Sequence, residues 1–302
     1  MDVQFGKRKM KLGDGENELG QLRDSAALLG DVAALKARMD EDGYLWLRGL
    51  LDREKVADTR RFVLDYMAEK EALVPGAPVL EGVMPRDGKT VPMAGRRGVT
   101  HDPRVLQTLE APELFDFFQR YFGEPAVTFD YKWLRAVGNE GFTGAHYDIV
   151  YMGRGSDRLH TTWIPLGDTP IDHGTLAVCV GSHRLASFEK LRLTYGRMDV
   201  DRDLIQGWFT DDPLDITTRF GGVWRTAAFE MGDVMIFGMH TLHASTTNTT
   251  NRYRLSCDVR YQPKADPIDD RWTGVEPRGH YAWQAAGVQA KTMQAARAEW
   301  GI

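Results

Sequence analysis

Cysteine is scarce: only Cys179 and Cys257 occur in 302 residues. Two thiols cannot staple a chain of this length, so no disulfide framework is expected and a reducing, cytoplasmic setting fits. Both read as small apolar residues buried on strands. No apolar run approaches the roughly 20 residues of a membrane-spanning helix. The opening Met1-Asp2-Val3-Gln4-Phe5-Gly6-Lys7 lacks the apolar segment of a secretory signal. No long basic stretch appears and the formal net charge is −5, which argues against nucleic acid as a partner. Internal repeats and low-complexity tracts are also missing. What remains is enough apolar material, 42% of residues, for one large core. A single domain over 1–302 is the simplest division, acting on a small molecule as a monomer or homodimer.

Along the chain, residues 1–24 are polar and read as a loose arm. A 3.6-residue apolar spacing from Ser25 to Met39 predicts a helix ending before Gly43, and Tyr44–Arg48 a short strand. Asp52 is placed to cap a second helix. Residues 73–101 are broken by Pro and Gly and carry Arg86, Lys89, Arg96 and Arg97, any of which could meet an anionic part of a substrate. A helix is expected over Pro112–Phe122. Strands are expected at Ala126–Ala136, Ala145–Met152, Leu159–Pro165, Gly174–Val180, Ala227–Glu230, Asp233–Phe237 and Tyr253–Tyr261. A polar insert, 185–223, interrupts them, and Tyr281–Trp300 reads as a closing helix. So many short strands predict a closed or sandwiched β-architecture.

The informative stretch is Ala145-His146-Tyr147-Asp148-Ile149-Val150. On a strand, side chains at i and i+2 leave one face, so His146 and Asp148 would aim at one point. His243, beside Ser245, supplies a third donor. Two imidazoles and a carboxylate are the facial set that holds iron(II) with open positions. Their wide separation excludes a local helical zinc motif. A turn at Thr247–Asn251 predicts a hairpin that returns Arg254 toward the metal, with Ser256, Asp258 and Arg260 on its face by period 2. A guanidinium there suits a two-point grip on a carboxylate.

Trp163-Ile164-Pro165 runs through an Asp-rich turn to Gly174-Thr175-Leu176 and Gly181-Ser182-His183, and Gly232-Asp233 precedes His243. With Asp42-Gly43-Tyr44 and Gly49-Leu50-Leu51 in front, this order resembles the phytanoyl-CoA dioxygenase family of iron(II)/2-oxoglutarate oxygenases, over roughly residues 40–262. The resemblance implies a mainly β fold with flanking α-helices: a double-stranded β-helix, or jelly-roll, cupin-like core. It implies His146, Asp148 and His243 as iron ligands, and Arg254 with Ser245 on the far carboxylate of 2-oxoglutarate. Trp163, and more loosely Trp133, would line that pocket. Tyr151, Met152, His240, Trp224 and Arg97 are the candidate substrate contacts. The implied activity is oxidation, foremost hydroxylation, of an unactivated C–H bond with O2, releasing succinate and CO2. Desaturation, cyclisation and epimerisation share its chemistry. Asp148 disfavours halogenation, which needs a small residue in that place. Residues 73–101 and 185–223 are expected to close as lids. Two rivals remain: a metal-independent binding protein on the same barrel, which would need a broken triad, and a zinc or manganese hydrolase using His146, Asp148 and His243, which would not need Arg254.

Overall fold

The structure, a computed structural model, describes residues 2–302 apart from Asp87, Lys89, Thr90 and Ala286. Lys89, one of the basic loop residues named above, thus lies outside the described residues. The chain opens on a hairpin, β1 (Asp2–Phe5) with β2 (Arg8–Lys11), and then the short β3 (Gly20–Gln21). The expectation of a loose arm is therefore corrected. Val3, Phe5 and Met10 are buried, and the Phe5 ring meets Trp224 edge-on at 5.0 Å. Three inward apolar side chains anchor a segment whose average composition is polar.

Helix α1 (Val32–Asp42) begins at the Asp31 cap and stops where Gly43 takes a left-handed φ of 81°. It starts later than the periodicity predicts, because a 3-10 turn occupies Ala26–Leu28. Strand β4 (Tyr44–Leu47) follows, then α2 (Arg53–Glu69), whose first N–H groups donate to Asp52. Short helices α3 (Arg97–Thr100) and α4 (Pro103–Leu109) lead to α5 (Pro112–Phe122), which has the predicted limits.

The expected strand Ala126–Ala136 is two, β5 (Ala126–Thr128) and β6 (Trp133–Val137). Residues 145–152 are not a strand. Ala145 and His146 make isolated bridges, Asp148 is in the helical region, and α6 (Ile149–Met152) follows at once. Strands β7 (His160–Pro165) and β8 (Leu176–Val180) come next, then helices α7 (Glu189–Leu193) and α8 (Pro213–Phe220) inside the insert. The strand expected at Ala227–Glu230 lies earlier, as β9 (Val223–Thr226). After it come β10 (Val234–Gly238), β11 (His243–Ser245) and β12 (Arg254–Pro263). The predicted C-terminal helix is split into α9 (Ala282–Ala285) and α10 (Met293–Trp300), with Gly287 at φ 70° between them.

Two sheets result. The larger runs β4-β10-β7-β12-β5, with β6 also on β12, and the smaller runs β11-β8-β9-β3. Alternation decides what each face buries. In β12, Leu255, Cys257, Val259 and Tyr261 join the cluster packed under α1, α2, α4 and α5. Arg254, Ser256, Asp258 and Arg260 take the opposite face. Between the sheets, Trp46, Trp163 and Phe237 of the larger pack with Leu176 and Val178 of the smaller. The outer face of the smaller sheet, with Cys179 and Trp224, is covered by the N-terminal hairpin and the insert, through Phe5, Phe188, Leu191 and Tyr195. The hairpin expected between His243 and Arg254 does not form. Among the named strands β11 pairs with β8, while β12 pairs with β5, β6 and β7, so the chain crosses from one sheet to the other. Asn248 ties that crossing down, donating to the carbonyls of Val137 and Arg252 at 2.9 and 2.8 Å.

Candidate active site

His146 and His243 pair with each other across an isolated antiparallel bridge. Each backbone N–H donates to the other's carbonyl, at 2.9 and 3.0 Å. Their rings lie side by side, centroids 4.1 Å apart, and Phe237 supports His243 at 4.4 Å. Each Nδ1 sits against a carbonyl that can only accept: Gly144 at 2.8 Å for His146 and Thr241 at 3.0 Å for His243. Both Nδ1 atoms must therefore carry the hydrogen, which leaves the Nε2 lone pairs free. Asp148 reaches the same point although it is not on a strand. After His146 the chain turns, Tyr147 drops into the core with its hydroxyl donating to Ser182, and the helical turn at Asp148 swings its carboxylate back. Asp148 Oδ1 lies 3.6 Å from His146 Nε2 and 3.7 Å from His243 Nε2. One donor atom from each residue fits within 4.8 Å of the others, and all three residues are buried.

The other carboxylate oxygen is occupied. Arg260 Nη2 donates to Asp148 Oδ2 at 3.0 Å, and Thr161 Oγ1 donates to it as well. Register explains both contacts: β7 and β12 set Thr161 opposite Arg260. Burial alone would raise the Asp148 pKa. Arg260, then the two histidines, overcome this and hold it well below the usual carboxylate range. Burial also pulls His243 down to about 4. An ionised carboxylate and imidazoles that turn Nε2 lone pairs to one point are the ligand forms a divalent iron requires. The donor set fits the metal.

Behind the triad, Arg254 is 3% exposed. It donates through Nη1 to Ser256 Oγ, its Nε has no partner, and its guanidinium lies 5.8 Å from the Trp163 ring. No carboxylate is within ion-pair reach of it among the described residues. Burial accordingly lowers its pKa to about 10. A desolvated guanidinium with an orphaned N–H fits an anion supplied from outside. Ser245, which accepts from the Thr143 N–H at 2.8 Å, and Trp163 line the same recess. The far carboxylate of 2-oxoglutarate suits it.

A cavity of about 690 Å³ opens on the triad from the other side. Tyr151 and Met152 line it, and so does Trp133, which was expected in the 2-oxoglutarate recess and does not line that; Trp224, His240 and Arg97 line neither space. Trp224 is turned to the outer face of β9, where its Nε1 donates to the Pro213 carbonyl. His240 packs near the Tyr147 ring, and Arg97 is exposed at the start of α3. Of loop 73–101 the lining includes Ala94, and of the insert Gln206, Gly207 and Trp208. The sequence reading missed Arg135, which lines both spaces, and the roles of Thr161 and Arg260. Arg260 shares the period-2 face of Arg254, and that was its only signal.

The family profile of phytanoyl-CoA dioxygenase (PhyH) matches residues 39–256. The chain is 28% identical over 256 residues to the 1-deoxypentalenic acid 11-beta-hydroxylase of Streptomyces arenae, covering 80% of this chain and 84% of that one. It is 29% identical over 254 residues to the enzyme of the same name from Streptomyces exfoliatus, with the same coverage. Among solved structures, the epimerase SnoN, in complex with Fe3+, alpha ketoglutarate and nogalamycin RO, superposes with a TM-score of 0.55 at 19% identity, covering 82% of this chain and 93% of that one. EctD from S. alaskensis, with 2-oxoglutarate and 5-hydroxyectoine, gives 0.54 at 18% identity, covering 86% and 88%. These two show the fold. The cavity's outer wall, His280 to Met293, lies beyond the family match. By the extent of that match, the chain belongs to the phytanoyl-CoA dioxygenase family of iron(II)- and 2-oxoglutarate-dependent oxygenases.

Proposed function

We propose that this chain hydroxylates an unactivated C–H bond of a small metabolite seated in the 690 Å³ cavity. His146, Asp148 and His243 hold the iron, and Arg254 with Ser245 anchors the far carboxylate of 2-oxoglutarate. One observation carries the reading: three converging donor atoms stand in front of a buried guanidinium that has no carboxylate within ion-pair reach among the described residues. A hydrolase needs the first and not the second. Two relatives bear the name of a hydroxylase, which favours hydroxylation over the alternatives. Epimerisation is the second reading, on the SnoN likeness.

When bound, iron(II) and 2-oxoglutarate supply the oxidation of the C–H bond by O2, with release of succinate and CO2. The chain's residues do the rest. Carbonyls of Gly144 and Thr241 lock both imidazoles in the ligating tautomer. Thr161 and Arg260 hold Asp148 Oδ2, so that Oδ1 alone is presented. Trp163, packed on Phe229 at 4.8 Å, and Trp133 exclude water from the two sides. Segments 73–101 and 185–223 close over the mouth when substrate arrives, with protease protection by the loaded complex as the check. The chain works as a monomer or homodimer in the cytoplasm. Both free cysteines are buried, and no helix among the described residues is long and apolar enough to cross a membrane.

Anaerobic protein given iron(II) and 2-oxoglutarate should develop a weak visible charge-transfer band, which further small molecules then perturb. A colourless mixture with no 2-oxoglutarate uptake would overturn the assignment.

A further inference from the structure

The site holds more positive charge than its own residues balance. Three guanidiniums, Arg135, Arg254 and Arg260, share the space behind the triad with two carboxylates, Asp148 and Asp258. The sum is 3 − 2, or one excess positive charge. Iron(II) would add two positive charges and 2-oxoglutarate two negative, so the loaded site keeps the surplus. Solvent screens two of the three guanidiniums little, since Arg254 and Arg260 are each 3% exposed, while Arg135 reaches the cavity. A desolvated surplus charge is costly until an opposite charge arrives.

The three arginines are not equivalent. Arg254 faces the recess assigned to 2-oxoglutarate. Arg260 gives its Nη2 to Asp148 and lies on the Trp133 ring at 4.1 Å, which covers its guanidinium although Nε and Nη1 have no hydrogen-bond partner among the described residues. Arg135 makes a single contact, from Nε to Asp258 Oδ2 at 2.9 Å. Its Nη atoms have no hydrogen-bond partner among the described residues, its side chain is 40% exposed, and it lines the large cavity. Lys291 lines that cavity too, but Glu299 holds it at 2.6 Å. Asp148 is the one acidic side chain among the described residues of the lining. Much of the remaining wall is aromatic or thioether: Tyr131, Trp133, Tyr151, Met152, Trp208 and Met293.

Resting on the oxygenase reading above, we propose that the substrate is a compact, largely apolar monocarboxylate whose carboxylate sits on the Nη face of Arg135. One negative charge matches the surplus of one. A phosphate monoester would overshoot it, and a cation would add to it. The carboxylate then acts as a tether that decides which carbon stands before the iron, with the apolar body filling the aromatic end of the cavity. Arg135 is thus a specificity-determining residue.

The test is calorimetric, on full-length protein held anaerobically with iron(II) and 2-oxoglutarate. The probes are cyclic and polycyclic aliphatic monocarboxylic acids, adamantane carboxylic acid among them, each with its methyl ester and the matching alkyl phosphate. Acids should bind about tenfold or more tighter than their esters, as a charge-assisted pair requires. In Arg135→Gln the acid-to-ester ratio should fall toward one, and Arg135→Lys should keep part of it. Esters binding as well as acids, phosphates binding best, no acid binding, or an unchanged ratio in Arg135→Gln would each overturn the proposal. Failure of the wild type to take up 2-oxoglutarate in the first titration is a separate result. It removes the oxygenase reading, and this proposal with it.

Discussion

Arg260 and Asp148, far apart in the chain, meet at 3.0 Å, and each is 3% exposed in its side chain. The pair divides the carboxylate's labour: one oxygen is held by the protein and the other faces the two imidazoles. Supporting contacts of this kind change metal affinity as well as ligand orientation. Arg260→Gln should therefore weaken iron(II) binding about 10- to 100-fold. Competition against a coloured chelator measures it, with near-ultraviolet circular dichroism as the folding control. Unaltered affinity in a folded variant would show that Thr161 alone suffices.

Asp148→Ala should abolish substrate-dependent succinate formation, because it removes the only anionic ligand of the set. Succinate release at the wild-type rate would count against the triad.

Arg254→Gln leaves a carboxylate without its buried partner. Breaking such a pair costs about 2–5 kcal/mol. The 2-oxoglutarate dissociation constant, read by titration of the visible band, should rise by at least about thirtyfold, the smaller end of that range. A constant within a factor of two of wild type would place the co-substrate elsewhere.

His160 stands away from the metal, its ring 5.4 Å from Tyr121 and 5.6 Å from Phe122, and its Nδ1–H donates to the Arg158 carbonyl at 2.8 Å. Burial lowers its pKa from 6.5 to about 4. Between those values the unfolded chain binds a proton that the folded one does not. Its contribution is therefore complete above pH 6.5 and is lost as pH falls toward about 4. Urea unfolding at pH 7 and pH 4.5 should show a smaller loss in His160→Phe than in wild type. An equal loss would assign the acid sensitivity to other groups.

Phe5 is 2% exposed although it stands in the first strand. Phe5→Ala should cost about 3–5 kcal/mol, as for other buried aromatics. Denaturant midpoints at constant slope report it. A shift below about 1 kcal/mol would mean that the hairpin is dispensable.

Residue type and spacing, read together with the family resemblance, marked His146, Asp148, His243 and Arg254 as candidates, and the alternation along β12 was legible because a strand repeats every two residues. Helices α2 and α5 were equally plain, through Asp52 and through the stripe of Leu114, Phe117, Phe118 and Tyr121. Other features depended on partners distant in sequence. The N-terminal strands exist because Trp224 and the insert bury Val3 and Phe5. Asp148 left the expected strand because a helical turn follows it immediately. Trp224 faces away from the cavity because β9 begins four residues before the strand expected at Ala227. The chain's own order named the donors, since donor chemistry belongs to the side chain. Only the assembled sheets decided which carboxylate oxygen is free, that Arg260 guards the other, and that Arg135 remains open to the cavity, because burial and pairing are properties of neighbours that the linear order does not record.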